Sequence, residues 1–221
     1  MKLHCHLLCF FLLFVSGLNA QDYIGLRGGG NISNTPLRIQ SDSTTILDQK
    51  TLSFFLVGID FEKVLNKNFS LISGLDLSKE GSILVKRYND GSDIFYHSNE
   101  IRYLKLSVLP KFNVHIIDYT LYGIVGPSFS YALDGQSSIY DENNFENRIV
   151  DLDLEEVGIK RFDLGLIGGV GIEKVVAKNV KVSLGIRYYL GLVNISEIQE
   201  LDVFNESMSV FIGAALPFGK K

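Results

Sequence analysis

The sequence predicts an all-β fold: an eight-stranded antiparallel up-and-down transmembrane β-barrel, preceded by a cleaved signal peptide. Three observations carry this. Apolar and polar side chains alternate with a period of two along the chain, with no sustained helical period. The connections between alternating segments are long and short by turns. The polar side of the alternation is rich in glycine and in charges of both signs. The 221 residues are 46% hydrophobic, which excludes a disordered chain, and a net charge of −4 excludes a nucleic-acid binder, which needs a basic footprint.

The first twenty residues read as an address. Lys2 precedes an almost unbroken apolar run, Leu7 to Leu18, and Asn19-Ala20-Gln21 follows. A basic start, an apolar core of this length and a small residue at the break describe a secretory signal, with cleavage expected after Ala20. Twelve apolar residues fall short of the ~20 that span a bilayer as a helix. Cys5 and Cys9 both lie inside this segment, so the mature domain, 21–221, holds no cysteine and no disulfide.

Strands follow in order. Tyr23–Ile32 alternates weakly; Phe55, Val57, Ile59 and Phe61 then alternate with Leu56, Gly58, Asp60 and Glu62. Phe69–Lys79 continues the pattern, and Leu104, Leu106, Val108 and Phe112 alternate with Tyr103, Lys105, Ser107 and Lys111. Tyr119–Leu133 is next, then Phe162, Leu164, Leu166, Val170 and Ile172 against Asp163, Gly165, Gly169, Gly171 and Glu173. Val180 to Tyr188 alternates cleanly, and Ser207–Phe218 closes the set. Most of these segments match the ~9–11 residues of a tilted membrane strand. The long connections are 33–49, 81–99, 134–160 and 193–205; the short ones are 65–68, 113–118 and 176–179. Outer-membrane barrels place short turns at the periplasmic end and longer loops outside, which gives this order when both termini are periplasmic.

A soluble lipocalin-like barrel binding lipid in the periplasm is the rival reading, and the polar face weighs against it. That face carries Gly25, Gly29, Gly58, Gly74, Gly165, Gly169, Gly171, Gly185 and Gly213. Glycine weakens a solvated strand face, whereas the crowded interior of an eight-stranded barrel needs small residues beside large ones. Five acids on that face, Asp60, Glu62, Asp76, Asp163 and Glu173, stand against five bases, Arg27, Lys105, Lys111, Lys181 and Arg187. Charges held inside a barrel must be paired, so these ten residues are the expected interior charge network.

Several stretches resemble the porin-family outer-membrane β-barrel domain of Gram-negative bacteria. They are Tyr23-Ile-Gly-Leu-Arg-Gly-Gly-Gly-Asn31, Phe69-Ser-Leu through Ser78-Lys-Glu-Gly81, Tyr103 to Phe112, Gly126-Pro127, Asp163-Leu-Gly through Gly169-Val-Gly-Ile-Glu173, and Arg187-Tyr-Tyr-Leu-Gly191. The likeness runs from Asp22 to Phe218. It implies a small barrel of the OmpA/OmpX type with no activity common to its members. The family's proline usually falls where Ser107 stands; here Pro110 lies three residues later, and a bulge is expected at that end of the strand.

Catalytic and ligand motifs are sparse. His97 lies near Ser98 and Glu100, and His115 near Asp118; neither setting resembles a nucleophile elbow. A lipid-modifying barrel enzyme is therefore a minor alternative. Asp151, Asp153, Glu155 and Glu156 form an acidic run without the glycine and spacing of a calcium loop. Gly168-Gly-Val-Gly171 lies within a strand and is read as interior packing, not a dinucleotide loop. Asn31, Asn68, Asn194 and Asn205 each begin an Asn-X-Ser sequon, read as chance matches. No cofactor, metal or nucleic acid is expected. Eight strands leave little continuous channel, so the expectation is a monomeric, non-enzymatic barrel without an open pore. It would meet outer-membrane lipid, lipopolysaccharide and any protein partner through loops 33–49, 81–99, 134–160 and 193–205.

Overall fold

The computed structural model describes residues 22–39, 47–87, 94–141, 146–176, 179–198 and 201–219; the segment 1–20, with Cys5 and Cys9, lies outside them. In chain order the strands are β1 (Asp22–Asn34), β2 (Leu37–Ile39), β3 (Leu47–Val64), β4 (Phe69–Arg87), β5 (Ile94–Ile116) and β6 (Tyr119–Asp141). They continue with β7 (Glu146–Leu152), β8 (Phe162–Val175), β9 (Lys181–Gly191), β10 (Leu201–Val203) and β11 (Glu206–Phe218). Eight of them pair side by side as β5-β4-β3-β1-β11-β9-β8-β6, and β6 pairs back to β5. All these pairings are antiparallel, so the sheet closes on itself and leaves no open edge around the barrel. The period-two alternation is what sorts the two faces. Leu26, Val57, Ile59, Phe129, Leu184, Ile186 and Ile212 point outward and are exposed, while their alternating neighbours fill the interior.

The outward apolar band has charged borders. Lys79–Glu100 and Arg102–Asp134, each 2.9 Å apart, stand on the outer surface above Leu77 and Leu104. At the other end Lys174 lies over the Tyr119 ring, 4.6 Å from its centroid. Aromatic pairs sit toward each border: Phe69–Phe112 and Phe61–Phe218 near the ends that carry the chain termini, Tyr131–Phe162 near the opposite end. An apolar belt between aromatic girdles is the outside of a membrane barrel.

Connections on the terminal side are tight. Asn66 Oδ1 accepts the backbone N–H groups of Asn68 and Phe69, closing the first turn. The expected connection 113–118 contracts to Ile117-Asp118, because β5 and β6 continue pairing down to Ile116↔Tyr119. Ile117 adopts φ +50° there, the positive value that a two-residue hairpin demands. His115 bridges two turns, contacting Thr120 Oγ1 at 2.9 Å and Lys67 O at 2.6 Å.

On the far side the strands outrun the membrane. Much of 81–99 and 134–160, expected as loops, is strand: β4 pairs with β5 without interruption out to Arg87↔Ile94, and β6 reaches Asp141, where β7 joins its edge. Water-exposed hairpins need no apolar face, so no alternation announced them. The bulge expected at Pro110 is absent. Leu71↔Pro110 keeps the β4–β5 register, the β5–β6 register is the same at Ser107↔Ser128 and Lys111↔Ile124, and the shift falls at Arg102/Tyr103. Pro110 is exposed on the outer face.

Candidate functional site

The interior is the most elaborate chemistry the protein carries, and it is arranged in tiers. Nearest the termini, Lys111 Nζ lies between Glu62 Oε1 (3.1 Å) and Glu173 Oε2 (2.6 Å). Lys181 Nζ reaches the same two acids, at 2.9 Å from Glu62 Oε2 and 3.7 Å from Glu173 Oε1. Two bases and two acids from β3, β5, β8 and β9 thus form one closed set. In the middle tier Arg27 of β1 pairs with Asp60 of β3 and Asp76 of β4. Arg187 of β9 reaches Asp60 from across the lumen, 3.4 Å away. Above these, Lys105 pairs with Glu80, and Glu80 also accepts hydrogen bonds from Ser33 (2.7 Å) and Ser207 (3.1 Å).

The top tier departs from the expected pairing. Asp163 has no cation within ion-pair distance among the described residues; its Oδ2 accepts from Tyr189 Oη and Asn205 Nδ2, each at 2.8 Å. Asn205 also reaches Tyr103 Oη at 3.2 Å, and Ser130 Oγ lies 3.4 Å from Tyr189 Oη. Every barrel strand therefore joins the interior network through at least one side chain, β6 through Ser130 and β11 through Ser207. The carboxylate that balances Lys105 is Glu80, in the middle of β4 and one residue past the end expected for that strand at Lys79.

Aromatic rings fill the space that the charges leave. Lys105 Nζ lies 3.9 Å from the Tyr189 ring centroid, Lys111 Nζ 4.6 Å from Tyr122, Lys181 Nζ 3.9 Å from Tyr23, and the Arg187 guanidinium 4.8 Å from Phe211. One side of the lumen is apolar, where Ile72, Leu109, Tyr122, Ile124, Ile167 and Tyr189 pack together. Interior glycines make room for these rings. A Cβ at Gly185 would stand 2.7 Å from Phe211 Cζ and 2.8 Å from Tyr122 Oη, closer than packed atoms allow. Among the described residues, two small cavities of about 50 and 40 Å³ lie between the tiers, each with Arg27 and Arg187 in its wall. They are of a size for water molecules.

The outer mouth is covered. Leu154 and Ile195, both from connecting segments, are 1% exposed, and Leu154 packs on Ile101, Tyr103 and Ala132. β2 pairs with β10, and Ile159 bridges to Ser196. Asn194 organises this cap: its Oδ1 accepts from the N–H groups of Ser196 and Val203, and its Nδ2 donates to Leu201 O and Asp202. The asparagines of the four sequons are all structural. Asn31 is buried and donates to Lys79 O, Asn68 donates to Asn113 O, and Asn194 and Asn205 hold the cap. In the acidic run, Asp153 accepts the N–H of Glu155 in the turn, and Glu155 pairs with Arg161 at 3.4 Å. The Nε2 of His97 lies 2.6 Å from Ser137 Oγ on β6, and burial pushes the imidazole below its usual pKa.

A closed eight-stranded barrel with an apolar belt outside and a polar interior is an integral outer-membrane protein. Residues 19–197 match the family described as outer membrane protein beta-barrel domain, and the chain belongs to that family. This location sets aside the soluble periplasmic reading. No curated protein sequence matches. Among solved structures, the chain is similar to Neisserial surface protein A, with 14% identity over 89% of this chain and 97% of that one and a TM-score of 0.46. It is also similar to OprG from Pseudomonas aeruginosa (10% identity, 90% and 98% covered, TM-score 0.47) and to Ail, the attachment invasion locus protein of Yersinia pestis (12% identity, 89% and 100% covered, TM-score 0.39).

Proposed function

We propose that the protein is a non-enzymatic outer-membrane barrel that conducts no solutes, and that its extracellular hairpins and loops make the contacts for which the barrel is an anchor. The observation that carries this is the side-chain-filled lumen. Lys111 and Lys181 with Glu62 and Glu173, then Arg27 and Arg187 with Asp60 and Asp76, then Lys105 with Glu80, bond from strand to strand across the interior. Opening a path would separate these buried charges, which is strongly unfavourable. The contacting surface consists of segments 33–49, 81–99, 134–160 and 193–205, against lipopolysaccharide headgroups or a protein of the envelope or a neighbouring cell, with the barrel monomeric. Liposome swelling with glucose-sized solutes tests the closed lumen: the reconstituted protein should give no swelling above empty liposomes. Removal of the 82–98 hairpin tip should abolish surface binding while leaving outer-membrane insertion intact.

One contact favours a hydrolytic reading, since His97 and Ser137 stand at the distance of a base and its nucleophile. Ser137 is only 6% exposed, however, so no ester carbonyl has a route to its hydroxyl without movement of the sheet. Hydrolysis of a p-nitrophenyl ester that Ser137→Ala abolishes would establish that reading.

A further inference from the structure

On the lipid-facing side of the barrel an apolar groove of about 620 Å³ crosses five strands. The register lays it out. Phe112 of β5 pairs with Gly123 of β6, Gly123 with Val170 of β8, Val170 with Ile186 of β9, and Ile186 with Val210 of β11. Gly123 faces outward and is the member of this row without a side chain, so the wall dips between Phe112 and Val170. Leu121, Ile172 and Leu184, one row nearer the chain termini, form its lower side. Four steps of about 4.8 Å between strands make the groove about 19 Å long, enough to follow one chain obliquely through the ~15 Å of hydrocarbon in a leaflet. Phe112 lies four residues from the end of β5 at Ile116, and Val210 eight from the end of β11 at Phe218. The groove therefore climbs from the periplasmic border toward the middle of the membrane.

A convex barrel wall touches a lipid chain on one side only, whereas a groove flanks the chain and adds dispersion contacts. Lys174 stands at the lower, periplasmic border. It shares the outer face of β8 with Val170 and Ile172, and its Nζ lies 4.6 Å from the Tyr119 ring centroid. An ammonium at that level meets the headgroups, where the anion is phosphate. We infer that the groove is a binding site for one phospholipid of the periplasmic leaflet, with an acyl chain over Gly123 and the phosphate at Lys174. Membrane placement fixes hydrocarbon as the occupant, and Lys174 fixes the charge of its head. The site depends on where the barrel sits, not on whether its lumen conducts.

The test uses the full mature protein folded in detergent and read by native mass spectrometry. It is titrated with palmitoyl-oleoyl phosphatidylglycerol and with the uncharged diacylglycerol of the same chains. One retained phosphatidylglycerol per barrel is expected, held about fivefold more tightly than the diacylglycerol. Lys174→Gln should weaken phosphatidylglycerol about fivefold and leave the diacylglycerol unchanged, and Lys174→Arg should restore it. Gly123→Leu should fill the groove and weaken both lipids about tenfold, the loss of about two buried CH₂ groups. The nearest atom to a Cβ at Gly123 is Gly169 O, 4.0 Å away, so this variant should keep the heat-modifiable band of the folded barrel. Ile59→Phe, which adds bulk to the exposed face of β3 on the opposite wall, should change neither lipid. No retained lipid, equal retention of the two lipids, or equal losses in Gly123→Leu and Ile59→Phe would overturn the inference. A dimer that Gly123→Leu dissociates would also overturn it, by giving the groove to a second copy of the chain.

Discussion

Two isoleucines separate a membrane belt from an ordinary exposed surface. Ile186 is 45% exposed on β9, flanked on the same face by Leu184 and Tyr188 and in register with Val170 of β8 and Val210 of β11. Ile149 is more exposed, at 63%, but lies on β7, which pairs only with the part of β6 beyond the charged border. In water, arginine at either position would cost little. At the bilayer midplane an outward arginine on a barrel costs about 2–4 kcal/mol, a factor of about 30 to 1,000 in the folded ratio. Ile186→Arg should therefore lose about 2–4 kcal/mol in urea unfolding from liposomes, followed by the heat-modifiable gel band. Ile149→Arg should stay within about 0.5 kcal/mol of the parent. Equal effects of the two substitutions would refute the assignment of faces and of the border at Lys79–Glu100 and Arg102–Asp134.

Other substitutions probe the interior by the same unfolding assay. Lys111→Met leaves Glu62 and Glu173 sharing Lys181 alone and should cost about 3–5 kcal/mol, with Glu173→Gln added to it recovering part of the loss. Gly185→Val should cost about 1–3 kcal/mol by displacing the Phe211 and Tyr122 rings, whereas Gly168→Ala, with open space outside it, should be close to neutral. Asn205→Ala removes a donor from Asp163 and the bond to Tyr103; it should cost about 1–3 kcal/mol and speed hydrogen exchange in the cap segments more than in β9.

Legibility in the sequence followed the physics of each region. Where one face meets lipid and the other a crowded lumen, alternation is enforced at every residue, so the eight barrel strands are legible in the sequence. Beyond the border both faces meet water or loosely packed loops, and the pattern fades. That is why 82–87, 94–99 and 135–141 looked like loops and why Glu80 escaped the interior set. Pairing is a three-dimensional property that parity does not specify. Asp163 points inward as its parity requires, yet it meets Tyr189 and Asn205 instead of a cation, because Asn205 arrives from a connection rather than a strand. Phe211 is inward by the same parity as Ser207, but it lies in a weakly alternating segment, so its place under Arg187 was hidden.

The proposed closure of the lumen to solutes rests on its buried ion pairs and rings. Its most direct test is single-channel recording of the unmodified, purified protein in planar bilayers. A filled interior, with cavities of only about 50 and 40 Å³ between the tiers, predicts a quiet baseline without porin-sized steps, and predicts that Arg187→Ala lowers stability without opening a channel. Reproducible large conductance steps from the unmodified protein would contradict it.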